Sequence, residues 1–337
     1  MSETLESIAL AMVATGKGIL AADESSGTIK KRFDAINVES TEDNRRDYRE
    51  MMFRTTDAMT NAISGVILFD ETIRQKGADG TPLVDIIKAA GSIPGIKVDG
   101  GAKELAGAPG EMITEGLDGL RDRFAEYYKI GARFAKWRAV INIGENIPSA
   151  YCISTNVHAL ARYAKLAQEA GIVPIVEPEV IMDGSHSIER CEEVTQTTLV
   201  ALFDALREQE VNLEGCILKP NMVISGSTAP NRAGVQEVAE RTLKVFKRTV
   251  PAAIPGIVFL SGGQSDVEAT AHLDAMNKMG PLPWKLSFSY GRALQAAPQK
   301  AWAGKADNVP AAQAAFDHRA KMNSLAATGQ YSADLEK

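Results

Sequence analysis

Gly215-Cys216-Ile217-Leu218-Lys219-Pro220-Asn221 is an apolar run that climbs to one lysine and is stopped at once by proline. A buried strand reads this way when it ends at the mouth of a cavity and delivers a side chain there. The proline has no N–H with which to continue a ladder. An amine that loses water on several sides favours its neutral form, which is the nucleophilic one. Lys219 is therefore a candidate for imine formation with a ketone sugar, and the fold decides which other strand ends serve it.

Seven more short apolar runs share this form: Gly18–Asp23, Ala62–Asp70, Gly95–Asp99, Phe134–Val140, Val173–Glu179, Gly256–Gly263 and Lys285–Tyr290. Helical patterns lie between them, over residues 40–56, 81–91, 116–130, 156–170, 187–209, 231–248 and 265–279. Glu24-Ser25-Ser26-Gly27-Thr28 reads as a turn. Residues 2–16 form a covering amphipathic helix before the first strand. Two Ala-rich helices, 292–303 and 309–326, follow the last. Strands that alternate with helices imply a parallel sheet. Eight such units predict a closed (β/α)8 TIM barrel with an extra N-terminal helix and C-terminal helices. The whole chain, 1–337, reads as one domain with a short C-terminal tail from about 327 to 337. A doubly wound open sheet is the alternative, but no G-x-G-x-x-G opens the first helix.

The 337 residues are 45% apolar and 24% charged, with a formal net charge of -6. That balance, and the lack of any Lys/Arg-rich run, argues against nucleic acid as a partner. Three widely spaced cysteines, Cys152, Cys191 and Cys216, favour a reducing compartment over a disulfide framework. No leader pattern and no apolar run long enough to span a bilayer is present, so no membrane role and a cytoplasmic location are expected. His158, His186, His272 and His318 are far apart and make no H-x-H or H-x-x-x-H pair, so no metal site is expected.

In a barrel of this kind the working groups sit at the C-terminal ends of the strands. Those ends offer Asp23, Lys97 with Asp99, Lys136 with Arg138, Glu177 with Glu179, Lys219, Ser261 with two glycines, and Ser289 leading to Arg292. Residues two apart in a strand share a face, so each charged pair points one way. A single charged strand end is as often a solvated rim or structural ion pair. Seven polar ends that converge on one mouth are not explained so easily. With no metal expected, a lysine imine is the available electron sink. Lys219 and Lys136 compete for that role, and the residues alone rank Lys219 only slightly ahead. A cation beside an amine favours its neutral form, which suits Lys136 as the helper.

Glycines and hydroxyls after the last two strands suit a phosphate. Ser261-Gly262-Gly263 and Ser289-Tyr290-Gly291-Arg292 form one such patch, with Arg292 adding a bidentate charge. Ser25, Thr28, Arg32 and Lys97 form a second, expected on the opposite rim. Two cationic patches across one mouth suggest a substrate with a phosphate at each end.

Together these motifs resemble class I fructose-1,6-bisphosphate aldolase. The resemblance rests on Gly18-Ile19-Leu20-Ala21-Ala22-Asp23-Glu24-Ser25, Ile96-Lys97-Val98-Asp99, Lys136-Trp137-Arg138 and Glu177-Pro178-Glu179. It continues through Leu218-Lys219-Pro220-Asn221-Met222, Leu260-Ser261-Gly262-Gly263-Gln264 and Ser289-Tyr290-Gly291-Arg292-Ala293-Leu294-Gln295. It implies Lys219 as the Schiff-base lysine, Glu177 as the acid/base on the carbinolamine and Asp23 as the group that takes the C4 hydroxyl proton. Lys136 is implied as the orienting cation and Glu179 as a supporting carboxylate. Ser261, Gly262 and Arg292 resemble the C1-phosphate site, with Ser289 and Gly291 in the same loop. Ser25, Thr28, Lys97, Arg138 and Arg32 resemble groups near the C6 phosphate or the sugar hydroxyls. The implied reaction cleaves fructose 1,6-bisphosphate reversibly to dihydroxyacetone phosphate and glyceraldehyde 3-phosphate, in glycolysis and gluconeogenesis. It needs no metal and no cofactor, and the implied assembly is a homotetramer.

Two features depart from that family's pattern. Animal and plant members carry a longer tail that ends in a tyrosine serving the C3 proton. Here the sequence reads Tyr331-Ser332-Ala333-Asp334-Leu335-Glu336-Lys337, which suggests a bacterial form and leaves Tyr331, a carboxylate or water for that proton. Gly100 stands where the family often has a lysine. Rival expectations are an aldolase for fructose 1-phosphate or sedoheptulose 1,7-bisphosphate, and a catalytically silent phosphosugar-binding protein.

Overall fold

The computed structural model describes residues 3–337; Ser2, where the first helix was expected to begin, lies outside them. The strands in chain order are β1 (Gly18–Ala22), β2 (Ile63–Leu68), β3 (Ile93–Lys97), β4 (Ala102–Glu104), β5 (Met112–Thr114), β6 (Phe134–Ile141), β7 (Val173–Val180), β8 (Ile217–Leu218), β9 (Gly256–Phe259) and β10 (Lys285–Tyr290). Eight of them close a parallel barrel in the order β1-β10-β9-β8-β7-β6-β3-β2, and β4 and β5 form a separate antiparallel pair. The expected (β/α)8 barrel is what the chain forms, with helices Leu5–Met12 before it and Arg292–Trp302 and Val309–Ala326 after β10.

The interior follows from the two-residue side-chain period. Ile19 and Ala21 of β1, Phe134 of β6, Val173 and Ile175 of β7, Ile217 of β8 and Val258 of β9 pack as one cluster inside the ring. Ile8, Ala9, Met12 and Val13 join it from below, so the N-terminal helix plugs the barrel floor. Phe134 fills space left by missing side chains. A Cβ on Gly65 would lie 2.8 Å from its ring, and one on Gly95 would lie 2.3 Å away. The same inward rows continue upward into Asp23, Lys136, Glu177 and Lys219, each two residues past a core member. Each row thus begins apolar at the floor and ends charged at the mouth.

The outward rows carry Leu20, Leu68, Ile96, Trp137, Val176 and Phe259, which pack on the helices in a second, larger core. Trp137 stacks on Tyr163 at 5.6 Å, and Phe259 on Phe246 at 5.6 Å.

Several local expectations need correction. Residues after Ser25 are not a plain turn but open a helix, Ser26–Asp34, with Ser25 Oγ accepting the N–H of Thr28. The helix expected over 156–170 begins at Ala150, where Ser149 caps it. Those expected from 116 and 231 begin at Leu120 and Val235. Short helices Thr56–Asn61 and Asp70–Arg74, and the β4–β5 hairpin, had no sequence counterpart. β8 is short, yet the Lys219 N–H still donates to the Val176 carbonyl at 2.9 Å, so the lysine is held by the ladder up to the proline.

Candidate active site

The strand ends meet in a cavity of about 350 Å³ at the C-terminal mouth of the barrel. That volume lies within the usual range for small-molecule clefts. Its walls include Asp23, Lys97, Asp99, Lys136, Arg138, Glu177, Glu179, Lys219, Ser261 and Ser289. Ser25, Thr28, Arg32, Gly262 and Gly291 also line it. Arg292 does not: it is exposed at the first position of the helix that follows β10. A larger cavity of about 780 Å³ lies at the barrel floor, lined by Leu10, Val13, Leu282 and Trp284, and contains none of these groups.

Glu177 is the centre of the charged constellation. Its Oε1 lies 3.2 Å from Lys219 Nζ, and its Oε2 lies 3.3 Å from Lys136 Nζ. Lys136 Nζ also lies 2.7 Å from Asp23 Oδ2. Lys136, Glu177 and Lys219 are buried, and Asp23 nearly so. Glu177 Oε2 is a buried acceptor without a well-aligned hydrogen bond among the described residues, so it is free to engage a bound hydroxyl.

The two lysines differ in their carboxylate neighbours. Burial opposes charge on Lys136, but the carboxylates of Asp23, Glu177 and Asp99 overcome it and raise the ammonium well above the ordinary lysine range. An amine held protonated cannot attack a carbonyl. Lys219 Nζ has one carboxylate within ion-pair distance among the described residues, that of Glu177. Burial would likewise raise the Asp23 carboxyl, but Lys136, Lys219 and Lys97 hold it well below the usual carboxylate range. Asp23 is thus an ionised base beside an ammonium.

Further out, register pairs Lys97 of β3 with Lys136 of β6, and Arg138 of β6 with Glu177 of β7. Lys97 Nζ lies 2.9 Å from Asp99 Oδ1. Asp99 also accepts the N–H groups of Arg138 and Gly101, so it braces two strand ends at once. Arg138 Nε donates to Glu179, and although burial opposes its charge, Glu179 keeps it firmly protonated. Met182 packs against Gly262 and Gly263, and the φ of +72° at Gly263 needs a glycine.

The barrel order redraws the two phosphate patches. β1 is the neighbour of β10, so Ser25, Thr28 and Arg32 border the Ser289–Gly291 loop instead of facing it. A Cβ on Gly291 would stand 3.7 Å from Arg32 Nη2. The groups truly across the mouth are Lys97 on β3, opposite β9, and Arg138 on β6, opposite β10. Arg32 therefore stands beside Gly291, and Arg292 opens the helix that follows it. Sequence reasoning also missed Glu24, Gly101 and Ala102, which line the same cavity.

Tyr331 is elsewhere. It is 4% exposed, its hydroxyl donates to Glu336 at 3.0 Å, and its N–H donates to Asp274 at 3.0 Å. Burial and Glu336 push its phenol up to about 12. Arg319 clamps Glu336 in turn, so the tail lies along the helices Asp266–Lys278 and Val309–Ala326. Tyr331→Phe is therefore expected to leave exchange of the C3 proton of dihydroxyacetone phosphate unchanged within about twofold, since no group at the site is altered. Exchange followed by NMR in deuterated water checks this, and a tenfold slowing would contradict it.

Among the described residues, no group of three or more His, Cys, Asp or Glu is placed to hold a metal ion, and no helix is long and apolar enough to cross a membrane.

The family profile for "Fructose-bisphosphate aldolase class-I" matches residues 4–337. A relative from Xanthomonas axonopodis pv. citri, "Probable fructose-bisphosphate aldolase class 1", is 61% identical over 330 residues, covering 98% of each chain. "Fructose-bisphosphate aldolase 4, cytosolic" of Arabidopsis thaliana is 56% identical over 322 residues, covering 95% of this chain and 82% of its own. Among solved structures, the fructose-bisphosphate aldolase of Plasmodium falciparum, in complex with TRAP and a small-molecule inhibitor, superposes with a TM-score of 0.95 at 49% identity. That match covers 98% of this chain and 95% of the other.

Proposed function

We propose, for a chain that belongs to the class I fructose-bisphosphate aldolase family, a reversible cleavage of fructose 1,6-bisphosphate through an imine on Lys219. The observation that carries the reading is the buried Glu177 carboxylate, 3.2 Å from Lys219 Nζ and 3.3 Å from Lys136 Nζ. A nucleophile and its acid/base partner stand within reach of each other, with a fixed cation behind them.

The steps follow from these positions. Lys219 Nζ attacks the C2 ketone and forms a carbinolamine. Glu177, having taken a proton from Lys219 Nζ as the amine is freed to attack, returns it to the departing hydroxyl, and water leaves as the iminium forms. The iminium draws electrons from the C3–C4 bond. Asp23, ionised beside Lys136, takes the C4 hydroxyl proton as that bond breaks, releasing glyceraldehyde 3-phosphate. The enamine is protonated at C3, and water returns to free dihydroxyacetone phosphate. Lys136 holds Asp23 and Glu177 in place, and Glu179 steadies Arg138. Lys97 and Arg138 on one side, and Ser261, Gly262, Ser289, Gly291 and Arg32 on the other, suit the two phosphates; Ser25 and Thr28 border the second group. Arg292 reaches the anion only by turning in from the surface.

A role in glycolysis and gluconeogenesis, a cytoplasmic location and a homotetrameric assembly belong to the same proposal, supported by family membership. The test is a comparison of kcat/KM across phosphorylated ketoses, with and without EDTA. Fructose 1,6-bisphosphate is expected to exceed fructose 1-phosphate by at least about tenfold, the scale of one charge-assisted hydrogen bond. EDTA is expected to change nothing. Equal kcat/KM for the monophosphate would move the reading to the rival sugar, and loss of activity with EDTA would overturn the imine.

A further inference from the structure

Glu24 follows Asp23 just past the end of β1 and lines the same cavity, with its carboxylate almost fully buried. It is 7% exposed and sits at the junction of three elements. Its Oε1 accepts from Arg32 Nη1 at 2.5 Å and from Gln295 Nε2 at 2.8 Å. The same Gln295 nitrogen donates to the Ala21 carbonyl at 2.6 Å, and Tyr48 donates to Gln295 Oε1 at 3.1 Å. Gln295 is thereby fixed, and it fixes Glu24 in turn.

Arg49 compensates the carboxylate independently. It is 1% exposed, donates to the Glu24 carbonyl at 2.7 Å and to Thr72 Oγ1 at 2.6 Å, and stands 3.8 Å from Glu24 Oε2. The corner therefore holds two guanidinium groups against one carboxylate. Of the two guanidinium groups, Arg32 is the less buried, and it borders Gly291. A guanidinium gripped through Nη1 keeps its remaining N–H groups in a fixed plane and free for a second anion.

We propose that Glu24 is a positioning residue for a substrate phosphate: it holds Arg32 against the Gly291 backbone, so the anion meets an oriented guanidinium. The proposal rests on the aldolase reading above. Orientation in advance lowers the cost of binding without entering the bond-breaking step.

The test is a double-mutant cycle with fructose 1,6-bisphosphate, using Glu24→Ala, Arg32→Ala and the pair, alongside Glu24→Gln and Glu24→Asp. Glu24→Ala is expected to raise KM roughly tenfold, the scale of one charge-assisted hydrogen bond, with kcat within about twofold. In the Arg32→Ala background the same change is expected to add nothing, because its target is gone. Glu24→Gln keeps the acceptor and is expected to restore most of the loss. Glu24→Asp keeps the charge but withdraws the oxygen by one methylene and is expected to behave like alanine. It serves the cycle if the alanine variant does not fold. An equal KM rise in both backgrounds would overturn the proposal. So would a fall in KM, or a glutamine variant as impaired as alanine. If the unaltered enzyme does not turn over the sugar, the aldolase reading itself has failed; an active enzyme with an additive cycle refutes only the role of Glu24.

Discussion

Lys219→Ala lowers kcat for fructose 1,6-bisphosphate cleavage by about four orders of magnitude or more, the usual result of removing a covalent nucleophile. Stability is expected to change little in the unfavourable direction. Lys219 has one carboxylate contact, and Glu177 keeps Lys136 at 3.3 Å when it is lost. Substrate binding should survive, because the phosphate-facing groups are untouched. Rapid-quench kinetics and binding of dihydroxyacetone phosphate by calorimetry separate the two quantities. A variant with more than about 1% of wild-type kcat would show that the imine is formed elsewhere.

Lys136→Met has a different signature, since it removes a charge from between two buried carboxylates. Breaking a buried pair by deleting one partner typically costs about 3–5 kcal/mol. Asp23 lies 2.7 Å from the lost ammonium, and burial then acts on it with less opposition. The sign is fixed by the direction of the native shift. A carboxyl held low stabilises the fold above its ordinary range and loses that contribution as pH falls through its native value. In the variant the Asp23 value rises, so the contribution is lost at higher pH and the base is protonated earlier. The acid limb of kcat/KM is therefore expected to move upward by at least about one pH unit, together with a lower melting temperature. An acid limb that stays in place would separate Asp23 from Lys136.

The barrel was legible because its evidence is redundant. Eight apolar runs ended in polar groups, and the same two-residue period that placed Ile19 and Ala21 inside also placed Asp23 there. Lys136 follows Phe134, Glu177 follows Ile175 and Lys219 follows Ile217 by the same count. The family inferred from these motifs is the one the comparisons return. The choice between Lys219 and Lys136 was less legible, because it depends on which carboxylates approach each ammonium in space. Barrel closure was the step that parity could not supply. It sets β1 beside β10, which moved Arg32 next to Gly291.

Local misreadings have local causes. Ser26, Gly27 and Thr28 are weak helix formers, so the helix they open is carried by Ser25 as its cap and by buried Ile29 and Phe33. The β4–β5 pair is three residues a side and half exposed, too short for a periodic signal. Arg292 is exposed outside the cavity wall, because β10 gives way to a helix at that residue. Tyr331 was a candidate as the tyrosine nearest the end of the sequence, and its contacts with Glu336 and Asp274 hold it in the docked tail.

Borohydride reduction in the presence of dihydroxyacetone phosphate, followed by peptide mapping, tests the central claim directly. The account predicts one stable adduct on Lys219, formed equally well in EDTA. An adduct on Lys136, or no adduct from an active enzyme, would contradict it.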